Sequence, residues 1–112
     1  MTKRQFAVLG MGKFGLSIAK TLSEAGYEVI AVDNDEELVQ EVADIVTYAL
    51  KADVTEPGVL KNIGIRNVDA VVVAISDNME SSIMATILAK EAGAPYVLSK
   101  AGTELHGQIM KK

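Results

Sequence analysis

The sequence predicts an α/β fold in which a doubly wound parallel sheet carries helices on both faces. Two observations predict it: short runs that are apolar at nearly every position, and segments with helical spacing of apolar residues that alternate with them. Such runs are typical of strands buried on both faces, and their alternation with helices is typical of parallel sheets. Right-handed crossovers and the first βαβ unit described below favour the strand order 3-2-1-4-5.

The first half of the chain predicts three strands and two helices. The predicted strands are the apolar runs 6–9, 27–32 and 46–50, of which the third alternates and is therefore placed near a sheet edge. Phe14, Ile18 and Leu22 recur at a spacing of four and predict the first helix, which Gly26 ends. The second helix is acidic and spans 38–42, with Asn34 or Asp35 as its cap.

The second half of the chain continues the alternation. Thr55 and Pro57 predict the start of a short third helix, with Thr55 as the cap. The β-branched run 69–75 predicts an interior fourth strand, and the run 96–98 predicts a fifth strand. A helix is predicted over 78–91, ending before Gly93, and a further helix begins over 103–112. The residues predicted to be buried in the 78–91 helix are Met79, Ile83, Met84, Ile87 and Leu88.

Composition limits the classes of function. The 112 residues carry a net charge of −4, with 49% hydrophobic and 23% charged residues, which indicates one globular domain over 1–112. Without cysteine there is no disulfide scaffold, thiolate zinc site or cysteine nucleophile. The acidic balance argues against nucleic acid as a partner. No apolar segment reaches the roughly eighteen residues of a membrane span, so we expect a cytoplasmic protein.

A glycine-rich loop follows the first predicted strand. Gly10, Gly12 and Gly15 form a G-x-G-x-x-G pattern between a strand and a helix. In this pattern the first glycine permits a tight turn, the second lets a pyrophosphate approach the backbone, and the third lets the helix pack close to the sheet. The helix start then favours an anion. The alternative is a tight glycine turn that binds nothing. The context predicts a Rossmann-like nucleotide site.

An acidic residue stands at the end of the second predicted strand. Asp33 follows Gly15 by eighteen residues, where a carboxylate accepts hydrogen bonds from the hydroxyls of an adenosine ribose. The same carboxylate would repel a 2′-phosphate, and Asn34 and Asp35 reinforce this, so NADP is disfavoured. The alternative is that Asp33 only caps the next helix, and the two roles are compatible.

Further polar residues are predicted at the same edge of the sheet, each with an ordinary structural alternative. Lys13 is either a phosphate contact or a solvated lysine. Asp53, which precedes Val54 at the end of the third strand, either meets an adenine edge or is a turn residue. Ser76 and Asp77, after Ile75, either contact ribose or cap a helix, and Lys100 is by default a surface lysine.

No catalytic set accompanies these residues. His106 is the only histidine and lies far along the chain from the loops named above. A general base or a metal ligand would need partners that it lacks. We therefore expect no enzymatic activity and no metal site. The 112 residues are also too few for a complete two-domain dehydrogenase.

The sequence resembles the RCK/KTN (TrkA-N) domain, the cytosolic regulatory domain of Ktr- and Trk-type potassium transporters and of ligand-gated potassium channels. The resemblance is greatest to the Ktr-type ring subunits. It covers nearly the whole chain, through FAVLGMGKFGLSIAKTL, GYEVIAVDNDEE, KADVTEPGVLKNIGIRNVDAVVVAI and YVLSKA. It implies that the crevice binds ATP, ADP or NAD(H), and that the ligand alters the shape of a ring assembly.

Carried over by position, the resemblance also implies roles for individual residues. The phosphate-binding residues would be those of the glycine loop, Gly10, Gly12, Lys13, Phe14 and Gly15, with Lys100 near the phosphates. The ribose-binding residues would be Asp33, Asn34 and Asp35. The residues beside the adenine would be Asp53 and Val54, and those of the opposite wall Ile75, Ser76 and Asp77.

The implied function is a non-catalytic sensor that gates a potassium-translocating membrane subunit at the inner face of the cell membrane. The implied partners are copies of the same chain, as a dimer or as a ring in the full-length protein. Two alternatives remain open: the cofactor-binding half of an NAD-dependent dehydrogenase, and an assembly module whose pocket binds nothing. Because members of the family carry a last strand, a crossover helix and a C-terminal lobe, we expect that this chain is an excised N-terminal domain.

Overall fold

A computed structural model of the chain describes residues 4–99, which form a five-stranded sheet with helices on both of its faces. The strands are all parallel and have the order β3-β2-β1-β4-β5. The predicted fold class and strand order are therefore confirmed. No helix within residues 4–99 has the length and hydropathy needed to cross a membrane.

The described elements alternate along the chain as predicted. The strands are β1 (Gln5–Leu9), β2 (Glu28–Asp33), β3 (Tyr48–Lys51), β4 (Ala70–Val73) and β5 (Val97–Ser99). The α-helices are α1 (Lys13–Glu24), α2 (Glu36–Val42), α3 (Val59–Ile63) and α4 (Met79–Glu91), and a 3₁₀ turn spans Ile65–Asn67. The helix predicted over 103–112 lies outside the described residues.

The core lies on both faces of the sheet. On one face, Val8, Val29 and Ala31 pack against α1 and α2. On the other face, inward side chains of β1, β2 and β4 pack against α3 and α4. Because every strand is parallel, the carboxyl ends of the strands and the helix starts that follow them meet at one edge of the sheet.

The start of α3 differs from the prediction. Thr55 and Pro57 precede the helix, which begins at Val59 after Gly58, whose φ is 87°. Gly58 stands at the cap position and no side chain caps this helix, while the amide and the hydroxyl of Thr55 both donate to the carboxylate of Asp53. The competing local hydrogen bonds of an Asx turn displace the helix start.

The buried face of α4 also differs from the prediction. Met79, Met84 and Ile87 were expected in the core and are 44%, 43% and 48% exposed. The buried residues of α4 are small and stand at the spacing of a helix face: Ser82, Ala85, Thr86 and Ala89. Small side chains let the helix pack closely on the sheet, which leaves Met79, Met84 and Ile87 on the outer face, while Leu88 is half-buried against the core as predicted.

Candidate functional site

A crevice of about 450 Å³ opens at the carboxyl edge of the sheet, between the loops that follow β1, β2, β3 and β4. Nine of the predicted site residues line it: Gly10, Gly12, Asp33, Asn34, Asp53, Val54, Ile75, Ser76 and Asp77. The sequence places these residues in four separate segments. The parallel sheet brings the segments together, because each segment follows the carboxyl end of a strand.

The glycine loop passes close to the end of β4. Gly10 has a φ of 102°, and its amide donates to the carbonyl of Val32 over 2.8 Å. A Cβ on Gly15 would lie 1.8 Å from the carbonyl oxygen of Gly10, so only glycine fits there. The loop can therefore turn directly from β1 into α1, and this brings the start of α1 to the crevice.

Gly12 occupies a different environment from the other two glycines. It caps α1 with a φ of −67° and a ψ of −170°, which other residues adopt readily. A Cβ at Gly12 would have no atom within 4 Å, and no side chain caps this helix start. The loop therefore presents backbone, and no side-chain cap, to the crevice.

Asp33 is half-buried at the end of β2 and holds two segments of backbone. Its Oδ2 accepts a hydrogen bond from the amide of Met11 over 2.7 Å, and its Oδ1 accepts one from the amide of Asp35 over 2.8 Å. Each oxygen of an ionised carboxylate has a further lone pair. The carboxylate can thus accept two more hydrogen bonds from a ligand in the crevice.

Asp53 lies exposed on the crevice wall, after β3. The side-chain hydroxyl of Thr55 donates to its Oδ1 over 2.5 Å, and the Thr55 amide donates to the same oxygen over 2.9 Å. These two hydrogen bonds lower the pKa of Asp53 below its ordinary value, the hydroxyl having the larger effect. Asp53 is therefore ionised at neutral pH and presents an acceptor to the crevice.

Replacing Thr55 with valine tests this arrangement. The valine keeps the shape of the side chain and the backbone amide but removes the hydroxyl, so we expect the pKa of Asp53 to rise towards its ordinary value. Because the folded-state pKa is lowered, the stabilisation from Asp53 is present at neutral pH and is lost as the pH falls through that pKa. An NMR titration of the Asp53 carboxyl carbon in both proteins measures the shift, and identical titration curves would contradict this account.

The structure places the other predicted residues away from the crevice wall. Asp35 caps α2 by accepting from the amide of Glu37 over 2.9 Å. Lys13 is exposed on the first turn of α1, Phe14 is half-buried and lines an apolar groove beside α1, and Gly15 packs against the loop. Lys100 lies outside the described residues. Nothing in the structure tests the ligand contacts of these residues, which remain predictions.

Sequence reasoning missed part of the crevice wall. The residues that it did not assign to the site are Val32, Leu38, Ala52, Thr55, Ala74, Asn78 and Ser81. Asn78 caps α4 by accepting from the amide of Ser81 over 2.9 Å. Most of these residues adjoin assigned positions, so extending each predicted loop by one or two residues would have found them. Leu38 lies within α2, and the only signal in the sequence that places it at the crevice is its helical spacing from the end of β2.

Within residues 4–99, no group of three or more histidines, cysteines and acidic residues is arranged to hold a metal ion. The polar groups that face the crevice are three carboxylates, those of Asp33, Asp53 and Asp77, together with hydroxyls, amides and the glycine-loop backbone. Such a set can accept hydrogen bonds from hydroxyl and amino groups at one end, and it can offer backbone N–H groups to an anion at the other.

Comparison with known proteins gives a family match over nearly the whole chain. The family described as the TrkA-N domain matches residues 6–112. Ktr system potassium uptake protein C of Bacillus subtilis is 46% identical over 110 residues, which cover 98% of this chain and 50% of that protein. The chain thus spans half the length of this relative.

Solved structures support the fold. The Kef C-terminal domain of Shewanella denitrificans in an AMP-bound form is similar with a TM-score of 0.76 and 20% identity, over 96% of this chain and 65% of that chain. The NAD(P)-binding domain of an exopolyphosphatase-related protein from Archaeoglobus fulgidus is similar with a TM-score of 0.66 and 22% identity, over 97% of each chain. Both likenesses show the same Rossmann-like architecture.

Proposed function

Since the chain belongs to the TrkA-N domain family, we propose that it is a non-catalytic, nucleotide-sensing domain of a potassium uptake system. The identity with Ktr system potassium uptake protein C supports the role in potassium uptake. Because the chain spans half of that relative, the membrane partner and the assembly are part of the proposal.

The observation that carries the proposal is the open space at Gly12. Neither the backbone angles of Gly12 nor its neighbours require a glycine, since a Cβ there would touch nothing. A glycine is required if a ligand approaches the backbone closely at this point, as a pyrophosphate does in nucleotide-binding loops. The helix start that follows favours the negative charge of such a ligand.

The ligand that fits the crevice best is an adenine nucleotide: ATP, ADP or NAD(H). Asp33 offers two free lone pairs to the ribose hydroxyls, and Asp53 offers an acceptor to the adenine amino group beside Val54. The described neighbours support this class of ligand, because one is the AMP-bound form of a Kef domain and the other is an NAD(P)-binding domain.

The same carboxylate disfavours a phosphorylated ribose. A 2′-phosphate would stand against Asp33, and no arginine or lysine lines the described crevice to compensate its charge. Two like charges a few ångströms apart at a protein surface repel by roughly 4 kcal/mol when the effective dielectric constant is about 20. NADP and NADPH are therefore expected to bind more weakly than their unphosphorylated counterparts.

Nucleotide binding would act by changing the shape of an assembly of several copies of the chain. We place the domain in a homo-oligomer, a dimer or a ring in the full-length protein, at the cytoplasmic side of a membrane subunit that translocates potassium. A ligand shifts the equilibrium between two ring shapes only by its difference in affinity for them. The crevice is suited to this, because it lies between loops from four strands and its ligand would contact all of them.

Titration calorimetry with ATP, ADP, NADH and NADPH tests the proposed function. We expect binding of at least one of the first three, and an affinity for NADPH that is about tenfold or more below that for NADH. The NADH and NADPH pair is a matched control, since the two ligands differ only in the 2′-phosphate. Binding of none of the four, or a preference for NADPH, would contradict the proposal.

A further inference from the structure

We propose that the contact between the Asp33 carboxylate and the Met11 amide sets the shape of the glycine loop before any ligand binds. Asp33 would then be a positioning residue for the phosphate end of the crevice, in addition to the ribose contact proposed above. The inference rests on the proposed function, because it concerns the same crevice and the same ligand.

Hydrogen bonds join the end of β2 to the glycine loop. Met11 lies between Gly10 and Gly12 in the glycine loop, and its amide donates to Oδ2 of Asp33 over 2.7 Å. The Gly10 amide also donates to β2, at the carbonyl of Val32 over 2.8 Å. Two successive residues of the loop are therefore held by the end of β2. Hydrogen bonds to an ionised acceptor are about twice as strong as neutral ones.

The side chain of Met11 fixes the same loop from the other side. It is 2% exposed and packs in the core cluster that contains Ala19, Val42 and Ala74. Its backbone cannot turn without withdrawing this side chain from the core. The Met11 amide is thus directed at the carboxylate both by a buried side chain and by its hydrogen bond.

The arrangement needs a carboxylate at position 33. Two backbone donors, the amides of Met11 and Asp35, reach two different oxygens of Asp33. An asparagine has one acceptor oxygen, and its NH₂ group would face one of these two N–H donors. A donor opposed by a donor is unfavourable. Because the bond to Asp35 is local, over two residues, and the bond to Met11 spans 22 residues, we expect asparagine to keep the first and to release the Met11 amide.

The positioning role of Asp33 and its negative charge predict opposite effects of Asp33→Asn on the binding of a polyanion. Removing a negative charge near the phosphate end should strengthen the binding of a polyanion by electrostatics. Releasing the Met11 amide should weaken it, because the loop would no longer present its backbone in one shape. A ligand with phosphates and no ribose separates the two effects.

The experiment measures binding of inorganic tripolyphosphate and of ADP by calorimetry to the wild-type chain, Asp33→Asn and Glu36→Gln. Glu36→Gln is the matched control, since Glu36 is exposed on the first turn of α2 and does not line the crevice. We expect Asp33→Asn to weaken tripolyphosphate about tenfold or more, and Glu36→Gln to leave it equal or slightly tighter. Equal or tighter binding in Asp33→Asn would overturn the inference, as would a wild-type chain that binds ADP but not tripolyphosphate.

A measurement without ligand separates this inference from the proposed function. Amide hydrogen exchange of Met11 in the ligand-free chain should be about tenfold or more faster in Asp33→Asn than in the wild type and in Glu36→Gln. Unchanged exchange would overturn the inference even if nucleotides bind. Faster exchange would support the contact even if no adenine nucleotide binds and the proposed function fails.

A second variant guards against misfolding of the first. Met11→Ala keeps Asp33 and the amide but removes the buried side chain, and we expect weaker tripolyphosphate binding that Met11→Leu largely restores. Equal tripolyphosphate affinity in Met11→Ala and the wild type would count against the inference.

Discussion

Gly15→Ala is expected to destabilise the chain by about 3 kcal/mol or more, at the upper end of the range for inserted atoms in packed sites. The added Cβ would lie 1.8 Å from the carbonyl oxygen of Gly10 and 3.3 Å from the Cβ of Ala74. The first of these atoms belongs to backbone, so the clash is relieved only if α1 moves away from β1. Thermal unfolding followed by circular dichroism measures the effect, with an expected fall in Tm of roughly 10 °C or more.

The control for Gly15→Ala is the same change at Gly12, three residues earlier in the loop. There the added Cβ meets no atom within 4 Å, and the backbone is in a region open to alanine. A stability difference between the two variants therefore reports the contact with Gly10 and not the loss of a glycine as such. Equal melting temperatures would show that α1 does not pack against the loop in the described way.

Gly12→Ala is expected to abolish most of the affinity for adenine nucleotides while the fold persists. The methyl group would stand where the proposed pyrophosphate approaches the backbone, and a loss of about 100-fold corresponds to about 2.7 kcal/mol. Stability should fall by only about 1 kcal/mol, the ordinary cost of alanine relative to glycine at a helix N-cap. Calorimetry with ADP measures the affinity and the melting curve measures the stability.

Adenosine is the matched ligand control for Gly12→Ala. It retains the groups that Asp33 and Asp53 are proposed to bind, and it has no phosphate. Its affinity should therefore be equal in the wild type and the variant. An ADP affinity unaffected by Gly12→Ala would place the phosphates elsewhere, and a parallel loss of adenosine would indicate a general distortion of the crevice.

The fold and most of the crevice were predictable, because their causes are local in the sequence or follow from handedness. Apolar runs such as 69–75 identify buried strands, and right-handed crossovers then determine their order. Once the order is known, the loops after β1, β2, β3 and β4 must meet at one edge. This is why Gly10, Asp33 and Asp53 line the same crevice although they lie far apart in the sequence.

The errors came from competition between local interactions. Thr55 was expected to accept a hydrogen bond from a free amide at the helix start, but its hydroxyl donates to Asp53 and the helix begins only at Val59. On α4, hydrophobicity favoured burial of Ile87, but the close packing of the helix on the sheet selected the small face of Ala85 and Ala89. The Met11 contact of Asp33 was not predictable, because it depends on the direction of one amide across 22 residues of chain.

The place of β1 between β2 and β4 has a consequence for how the chain acquires its structure. Gln5 and Asp69 are joined by two hydrogen bonds of 2.7 Å across a sequence separation of 64, and Phe6 pairs with Ala70 in the same register. During synthesis on the ribosome, the edge of β1 that pairs with β4 therefore stays without its hydrogen-bond partner until more than half of the chain has been made. Such non-local pairing slows folding and lengthens the time in which the nascent chain needs protection from self-association.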